Sequence, residues 1–164
     1  MTEKIVMGLD LSLTASGYAI FGAEDKFLHW GTVEPPSQLE TLRRIQWTVL
    51  HLKAIITSFQ VTEVAIEDYA YSQFGVSGSI AQIVENAGAV KQMLIGENIQ
   101  VFCHSITEIK KHATGIGKAS KDQMLEAYQK LTHKRKSGDE HQIDAFFVAM
   151  FHYEYLRRLD GKDT

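Results

Sequence analysis

The hydrophobic period of the chain changes near Gln38, and this change restricts the fold more than any other feature. Before Gln38, short apolar runs have the length of β-strands. Beyond it, apolar residues recur every three or four positions through to Phe59, which predicts an amphipathic helix of about six turns. Residues 64–67 form another strand-like run. A strand, a long helix and a strand in this order predict a right-handed crossover and a parallel pair of strands.

Strands are predicted at residues 5–10, 17–21, 27–33, 64–67 and 99–103. Because the first three are joined by short connections, an antiparallel meander is expected. A second helix follows the fourth strand. The apolar faces of the first two helices comprise Leu39, Leu42, Ile45, Val49, Leu52, Ile55, Ile56 and Phe59, and then Ile80, Ile83, Val84, Ala87, Val90 and Leu94. This order predicts an α/β fold with a mixed five-stranded sheet flanked by helices.

Three further helices are predicted in the last third of the chain. Ser105 with Glu108, and Ser120 with Gln123, fit capping boxes that open two of them. The last helix is expected over residues 141–159, with an inward face of Ile143, Phe146, Phe147, Met150 and Phe151. With 164 residues and no linker-like segment, residues 1–164 are predicted to form a single domain.

Composition favours a soluble protein of a reducing compartment. No apolar run approaches about 18 residues, so no membrane span is expected. The N-terminus lacks the features of a secretory signal. Cys103 is the one cysteine, so no internal disulfide is possible, and we expect it to be an inert buried thiol. The cytoplasm of a bacterium or of a phage-infected host is the expected location.

The charge of the chain is unevenly distributed. The net charge is −3, yet residues 104–136 carry eight Lys or Arg against three Asp or Glu. A basic segment on an otherwise acidic chain is typical of a surface that faces phosphate. The alternative is a lysine-rich helix face that is merely solvated.

Four potential metal ligands lie at the ends of predicted elements. Asp10 and Glu67 each end an apolar strand, and His141 and Asp144 are three residues apart on the last helix. These side chains can converge on one point. Clustered carboxylates suit divalent cations, which makes metal-dependent cleavage of a phosphodiester the leading hypothesis.

Each acid also has a local explanation. Asp10 could cap a turn, and Glu67 or its neighbour Asp68 could be a solvated strand end. Asp144 could interact with the dipole of its own helix. Their joint occurrence at the ends of apolar strands and on the last helix favours a common site, although periodicity alone leaves these readings open.

Four segments occur in the order of a known family. Residues 7–18 are similar to an opening Gly-Ile-Asp-Pro-Gly…Thr-Gly-Tyr-Gly motif, and residues 65–67 match Ala-Ile-Glu. Residues 114–121 are similar to Gly-Ile-Gly…Lys, and residues 143–149 match Ala-Asp-Ala-Leu-Ala-Ile-Ala. In these segments the chain resembles the RuvC family of Holliday-junction resolvases. The resemblance implies an RNase H-like fold and a homodimer that resolves four-way DNA junctions by paired nicks in opposite strands.

The resemblance also implies roles for individual residues. Asp10, Glu67 and Asp144 fall on metal-binding acids, and His141 falls where many members have Asp and some have His. Two Mg²⁺ or Mn²⁺ ions per site are expected, and Asp139 or Glu140 could substitute as the fourth ligand. The positions similar to DNA-contacting or catalytic lysines are Lys110 and Lys121, and Lys121 is expected to act in catalysis as well as in binding. Lys118 is expected to bind DNA with them.

The chain departs from the family pattern in two places. Leu11 and Ser12 replace Pro-Gly in the opening motif. In the loop after Glu67, where the family often places a stacking aromatic, we expect Tyr71 or Phe74 to face the junction. The alternative is that these rings pack under the loop. The glycines of residues 115–118 are expected to turn the chain or to approach a DNA phosphate, because the spacing of a nucleotide-binding loop is absent.

Two other functions remain open at this point. One is an RNase H-like nuclease that acts on other branched DNA or on RNA. The other is an ATP-binding protein of the sugar-kinase and chaperone fold, whose strands open similarly, although the short chain and the later acids disfavour it. A non-catalytic junction-binding protein is disfavoured by the intact acids. Nothing in the sequence indicates whether a branch-migration motor is a partner.

Overall fold

The computed structural model describes residues 4–23, 26–68, 78–133 and 138–159, with the side chains of residues 78–80 left out. Its strands are β1 Val6–Asp10, β2 Ser16–Phe21, β3 Phe27–Val33, β4 Glu63–Asp68 and β5 Gln100–Ser105. Its helices are α1 Thr41–Phe59, α2 Gly78–Gly96, α3 Ile106–Thr114, α4 Lys121–Thr132 and α5 Glu140–Leu159. None of the helices in these ranges combines the length and hydropathy needed to cross a bilayer.

The five strands form one mixed sheet in the order β3-β2-β1-β4-β5. β1, β2 and β3 pair antiparallel, which confirms the predicted meander. β4 pairs parallel to both β1 and β5, which confirms the predicted crossover through α1. The α/β fold with a mixed five-stranded sheet is therefore as the sequence predicts.

The two faces of the sheet differ in side-chain size. On one face Met7, Leu9 and Ile66 pack with the apolar sides of α1 and α2. On the other face the paired residues are small: Gly8 lies between Ala19 of β2 and Ala65 of β4. This flat strip receives α5, and α3 and α4 complete the same layer.

The backbone of α5 lies directly against the backbone of the sheet at two glycines. A Cβ on Gly8 would overlap the carbonyl oxygen of Ala145, and a Cβ on Gly17 would overlap the carbonyl of His141. Glycine is therefore required at both positions for this approach. The contact brings the first turns of α5 to the end of β1.

Three details of the prediction are wrong, and one lies outside the described residues. Leu42 is 69% exposed, because α1 begins only one residue earlier and the described chain leaves most of that side chain uncovered. Cys103 is exposed because β5 is an edge strand. Ser105 makes no side-chain cap, since it is still the last residue of β5, whereas the Ser120 capping box is confirmed. The side chain of Ile80 is outside the described residues.

Replacing Gly8 with alanine tests the contact between α5 and the sheet. Gly8→Ala should destabilise the protein by about 3 kcal/mol, because the added methyl meets helix backbone that has no rotamer with which to yield. Gly88→Ala is the matched control: its Cβ meets nothing within 4 Å on a helix, so stability should rise by about 0.5–1 kcal/mol. Urea unfolding measures both, and equal midpoints for the two variants would contradict the described packing.

Candidate active site

Asp10 and Glu67 lie side by side at one edge of the sheet. Asp10 is the last residue of β1, and Glu67 is the last residue but one of the parallel strand β4. The pairing of Leu9 with Ile66 puts the two acids at the same level. Because side chains alternate along a strand, both acids project on the face that Gly8 and Ala65 present to α5.

α5 adds His141 and Asp144 from above that face. The Nδ1 of His141 lies 2.7 Å from Oδ2 of Asp10, a hydrogen bond that spans 131 residues of sequence. Asp144 directly precedes Ala145, the residue whose backbone rests on Gly8. The structure thus brings the four predicted ligands to one edge of the sheet.

Burial and mutual repulsion raise the pKa values of the two most enclosed acids. Burial, followed by the negative charges of Asp10 and Asp144, raises the pKa of Glu67 to about 7, while Lys110 opposes the rise. Burial and Asp10 raise the pKa of Asp144 to about 6 against the opposing charges of Lys110, His141 and Lys121. The hydrogen bond to Asp10 raises the pKa of His141. Burial and the neighbouring negative charges therefore disfavour the ionised form of Glu67 and of Asp144.

The predicted lysines occupy three different environments. The ammonium of Lys110 donates to the carbonyl of Ala119 at 3.1 Å, and its charge acts on both buried acids. The ammonium of Lys121 donates to Oε2 of Glu140 at 2.5 Å, and both side chains of this pair are largely exposed. Lys118 is exposed on the turn between α3 and α4. Lys110 and Lys121 are therefore the two that act on the acids.

The glycines beside Lys118 serve the turn. Gly115 ends α3 with a φ of 80°, and its N–H donates to the carbonyl of Lys111 at 2.8 Å. A Cβ on Gly117 would come within 2.8 Å of the Thr107 side chain. Both observations favour the chain-turning interpretation of this segment.

The alternative fourth ligands are engaged elsewhere. Asp139 accepts the hydroxyl of Thr32 at 2.7 Å and the N–H of Gln142 at 2.9 Å. Glu140 holds Lys121. Of the residues considered for the fourth position, His141 is the one that contacts Asp10.

As the side chains stand, no three His, Cys, Asp or Glu residues in the described ranges are arranged to hold a metal ion. Oδ2 of Asp10 is instead hydrogen-bonded to Nδ1 of His141. The donor types fit a hard divalent cation, because carboxylate oxygens dominate the cluster. A cation would also relieve the repulsion that Asp10 exerts on Glu67 and Asp144.

A second polar cluster, which no sequence motif indicates, lies on the same face of the sheet. His104, which pairs with Glu67 across the strands, shares a 2.8 Å hydrogen bond with His152 of α5. The other ring nitrogen of His152 lies 3.3 Å from Glu63, which is paired with Lys4. Burial lowers the pKa of His152 to about 4 and also lowers that of His104, so both are neutral near pH 7. Their wide separation in sequence leaves no local signal.

Among the described residues, cavities border the helical layer formed by α3, α4 and α5. One of about 310 Å³ borders Asp144 and is lined in part by Lys121 and Glu140. A larger one of about 640 Å³ lies among α3, α4 and α5, and its lining includes none of the predicted site residues. Tyr71 and Phe74 fall outside the described residues.

Comparison with known proteins identifies both fold and family. The structure matches that of RuvC from Thermus thermophilus with a TM-score of 0.78 at 20% identity, covering 94% of this chain and 96% of that one. The same protein in complex with Holliday junction substrate gives a TM-score of 0.77 at 18% identity, with the same coverage. The chain therefore has the RNase H-like fold.

The sequence carries the identification further. Residues 6–152 match the family described as crossover junction endodeoxyribonuclease RuvC. The chain is 30% identical over 154 residues to that enzyme from Caldicellulosiruptor saccharolyticus, covering 90% of each chain. It is 28% identical over 153 residues to the enzyme from Alkaliphilus oremlandii, covering 90% of this chain and 92% of the relative. The chain belongs to the RuvC family, whose members are metal-dependent nucleases.

The raised pKa values predict a stability that falls with pH when no metal is present. A folded-state pKa above the unfolded value contributes stability below the unfolded pKa and loses it as pH rises through the folded pKa. For Glu67 this loss runs from its ordinary pKa of 4.5 to the raised pKa of about 7, so its last part lies above pH 6.5, and His141 acts in the same direction. The lowered pKa values of His104 and His152 act oppositely, but below about pH 6.5.

The measurement is thermal unfolding in EDTA between pH 6.5 and 8.5, beyond the titration of the two buried histidines. The melting temperature of the wild type should fall across this range, and that of Glu67→Gln should fall less, because one raised carboxyl is gone. Equal slopes for the two proteins would contradict the electrostatic description of the site.

Proposed function

We propose that this chain is a metal-dependent endonuclease that resolves four-way DNA junctions by paired nicks in opposite strands. The observation that carries the proposal is the convergence of Asp10, Glu67, His141 and Asp144 at one sheet edge in a member of the RuvC family. The structural similarity to a RuvC in complex with Holliday junction substrate supports the choice of substrate.

The four residues would hold two divalent ions, Mg²⁺ or Mn²⁺. When bound, such ions supply a nucleophilic water and neutralise the departing oxygen of the scissile phosphodiester. The charge of Asp10 acts on both Glu67 and Asp144, which suits Asp10 to the central position among the proposed ligands. His141 offers a nitrogen donor, which Mn²⁺ accepts more readily than Mg²⁺.

The protein itself contributes orientation and positive charge. His141 restrains the Asp10 carboxylate through its 2.7 Å hydrogen bond. Lys110, anchored on the carbonyl of Ala119, brings a fixed positive charge to the acids. Lys121 begins α4 beside the cavity at Asp144 and can contact a phosphate once it leaves Glu140. Lys118 and either Tyr71 or Phe74 complete the predicted DNA-binding set.

The substrate and reaction define the expected assembly. Two nicks in opposite strands need two active sites, and a twofold homodimer matches a nearly twofold junction. Residues 1–164 then form one nuclease domain per subunit, acting on DNA in the cytoplasm of a bacterium or phage-infected host. Family membership argues against the ATP-binding alternative.

The test of this function is a strand-resolved nicking assay with Mg²⁺ and, separately, with Mn²⁺. Four-way junctions, flaps, linear duplexes and RNA–DNA hybrids are compared at equal concentration. Symmetric nicks in opposite strands of the junction, with little cleavage of the others, are expected. Preferred cleavage of flaps or hybrids would assign the chain to the alternative, an RNase H-like nuclease with another substrate.

Replacing each acid by its amide should separate cleavage from binding. Asp10→Asn, Glu67→Gln and Asp144→Asn should each reduce cleavage by about 100-fold or more, because a metal ligand is lost. Junction binding should be retained or tighter, since repulsion of phosphate falls. The matched control is Glu126→Gln, an exposed carboxylate on α4 paired with Lys130, which should leave cleavage unchanged. Wild-type cleavage in any of the three acid variants would remove that residue from the site.

Substitution of His141 tests its role as a ligand. His141→Asp should retain cleavage and shift the preference toward Mg²⁺, because an oxygen donor replaces nitrogen. His141→Ala should be at least about tenfold slower, since both a ligand and the partner of Asp10 are lost. The rates are measured with each metal across a concentration series. If both variants cleave like the wild type, the fourth ligand lies elsewhere.

A further inference from the structure

The loop between β1 and β2 leads directly out of Asp10. Within residues 11–15, the hydroxyl oxygen of Ser12 accepts two backbone N–H groups of the loop, at 3.0 and 3.2 Å. The N–H of Ser12 donates to Oγ of Ser16 at 3.1 Å, and the Ser16 hydroxyl donates back to the Ser12 carbonyl at 2.9 Å. Neither Leu11 nor Ser12 restricts φ as proline would, so these hydrogen bonds define the shape of the loop.

Asn86 of α2 holds the same loop from outside. Its Nδ2 donates to the Ser12 carbonyl at 3.0 Å across 74 residues of sequence. The residue is fully buried, and its Oδ1 has no hydrogen-bond partner within the described part of the chain. A buried amide oxygen without a partner is unfavourable, and an apolar side chain of the same shape would avoid that disadvantage. Stability alone therefore does not account for asparagine at this position.

The two helical layers hold different parts of the chain at Asp10. Leu11 is 2% exposed and packs in the apolar cluster that contains Ala87, the residue after Asn86. The carboxylate of Asp10 lies on the other face, where His141 binds it. Thus α2 restrains the main chain that follows Asp10, whereas α5 restrains its side chain.

We infer that Asn86 is a positioning residue, which sets the direction of the Asp10 carboxylate by fixing the Ser12 carbonyl and thereby raises the affinity of the site for divalent cations. The inference rests on the proposed function in one respect, the role of Asp10 as a metal ligand. Within the described residues Asn86 makes its hydrogen bond to Ser12 and none to the acids, so it would act through the backbone of residues 10–12.

The test uses Mn²⁺ alone as the probe, with no DNA present. Free Mn²⁺ is measured by electron paramagnetic resonance during titration of the protein. The variant Asp10→Asn gives the background affinity for Mn²⁺ when the proposed site has lost a ligand. Asn86→Leu, which keeps the side-chain shape without the donor, should bind Mn²⁺ about fivefold more weakly. Ser16→Ala removes the other hydrogen bond to the Ser12 carbonyl and should change the affinity in the same direction.

The matched control is Thr48→Val on α1. Thr48 is also buried with an unpartnered side-chain oxygen among the described residues, but it makes no hydrogen bond to the loop. This variant should bind Mn²⁺ like the wild type, and thermal unfolding is measured for every protein. A residue with a merely structural role would lower the melting temperature and leave the Mn²⁺ affinity of the folded protein unchanged.

If folded Asn86→Leu binds Mn²⁺ with wild-type affinity, the inference is overturned. It is also overturned if neither Asn86→Leu nor Ser16→Ala folds, because the contact would then serve stability alone. Equal affinity in the wild type and Asp10→Asn would also overturn it, because no Asp10 metal site would then exist to position. Failure of the proposed function is distinguished by the separate nicking assay: weakened Mn²⁺ binding in Asn86→Leu supports the inference whichever nucleic acid the wild type cleaves.

Discussion

The candidate site depends on the backbone contact between α5 and the sheet at Gly8 and Gly17. Four side chains below the helix are only hydrogen or methyl, those of Gly8, Gly17, Ala19 and Ala65. α5 can therefore lie close enough for His141 to reach Asp10 and for Asp144 to join the same cluster. A larger side chain at Gly8 would lift the helix and separate the proposed ligands carried by the helix from those carried by the strands. Packing and chemistry are therefore linked through residues that carry no functional group.

This close packing creates the electrostatic state of the site. Enclosing Glu67 and Asp144 beneath α5 removes them from water, and Asp10 then adds a like charge. Lys110 and His141 compensate only in part, as the raised pKa values of both acids demonstrate. Such a cluster is less stable when fully ionised than a solvated one, and positive charge is what it lacks. The arrangement suits a site that gains its counter-charge from bound cations.

Much of the fold can be predicted from local sequence patterns. Which side chains are buried by elements distant in sequence cannot. Apolar runs and the change of period located all five strands, and the order of elements predicted the meander and the parallel crossover. The predicted burial of Leu42 and Cys103 is wrong because exposure depends on which other elements cover a residue, and hydrophobic type alone does not indicate this. For the site, element ends indicated which acids could converge. The hydrogen bond between His141 and Asp10 depends on the approach of α5, which periodicity does not specify.

The position of Asp10 is determined by three independent layers of the protein. The sheet supplies its pairing with Gly17, α5 supplies the imidazole on its carboxylate, and α2 reaches the next turn of the chain through Asn86. Because these contacts come from segments distant in sequence, Asp10 acquires its final environment only when both helical layers have packed on the sheet. The exposed Lys121–Glu140 pair is different, since solvent and salt weaken it and a phosphate can compete for the lysine. The candidate site thus combines a rigid acidic centre with an adaptable basic margin. The proposed cleavage of a polyanionic substrate would use both, with fixed groups at the reacting bond and exchangeable contacts where the backbone of the nucleic acid first binds.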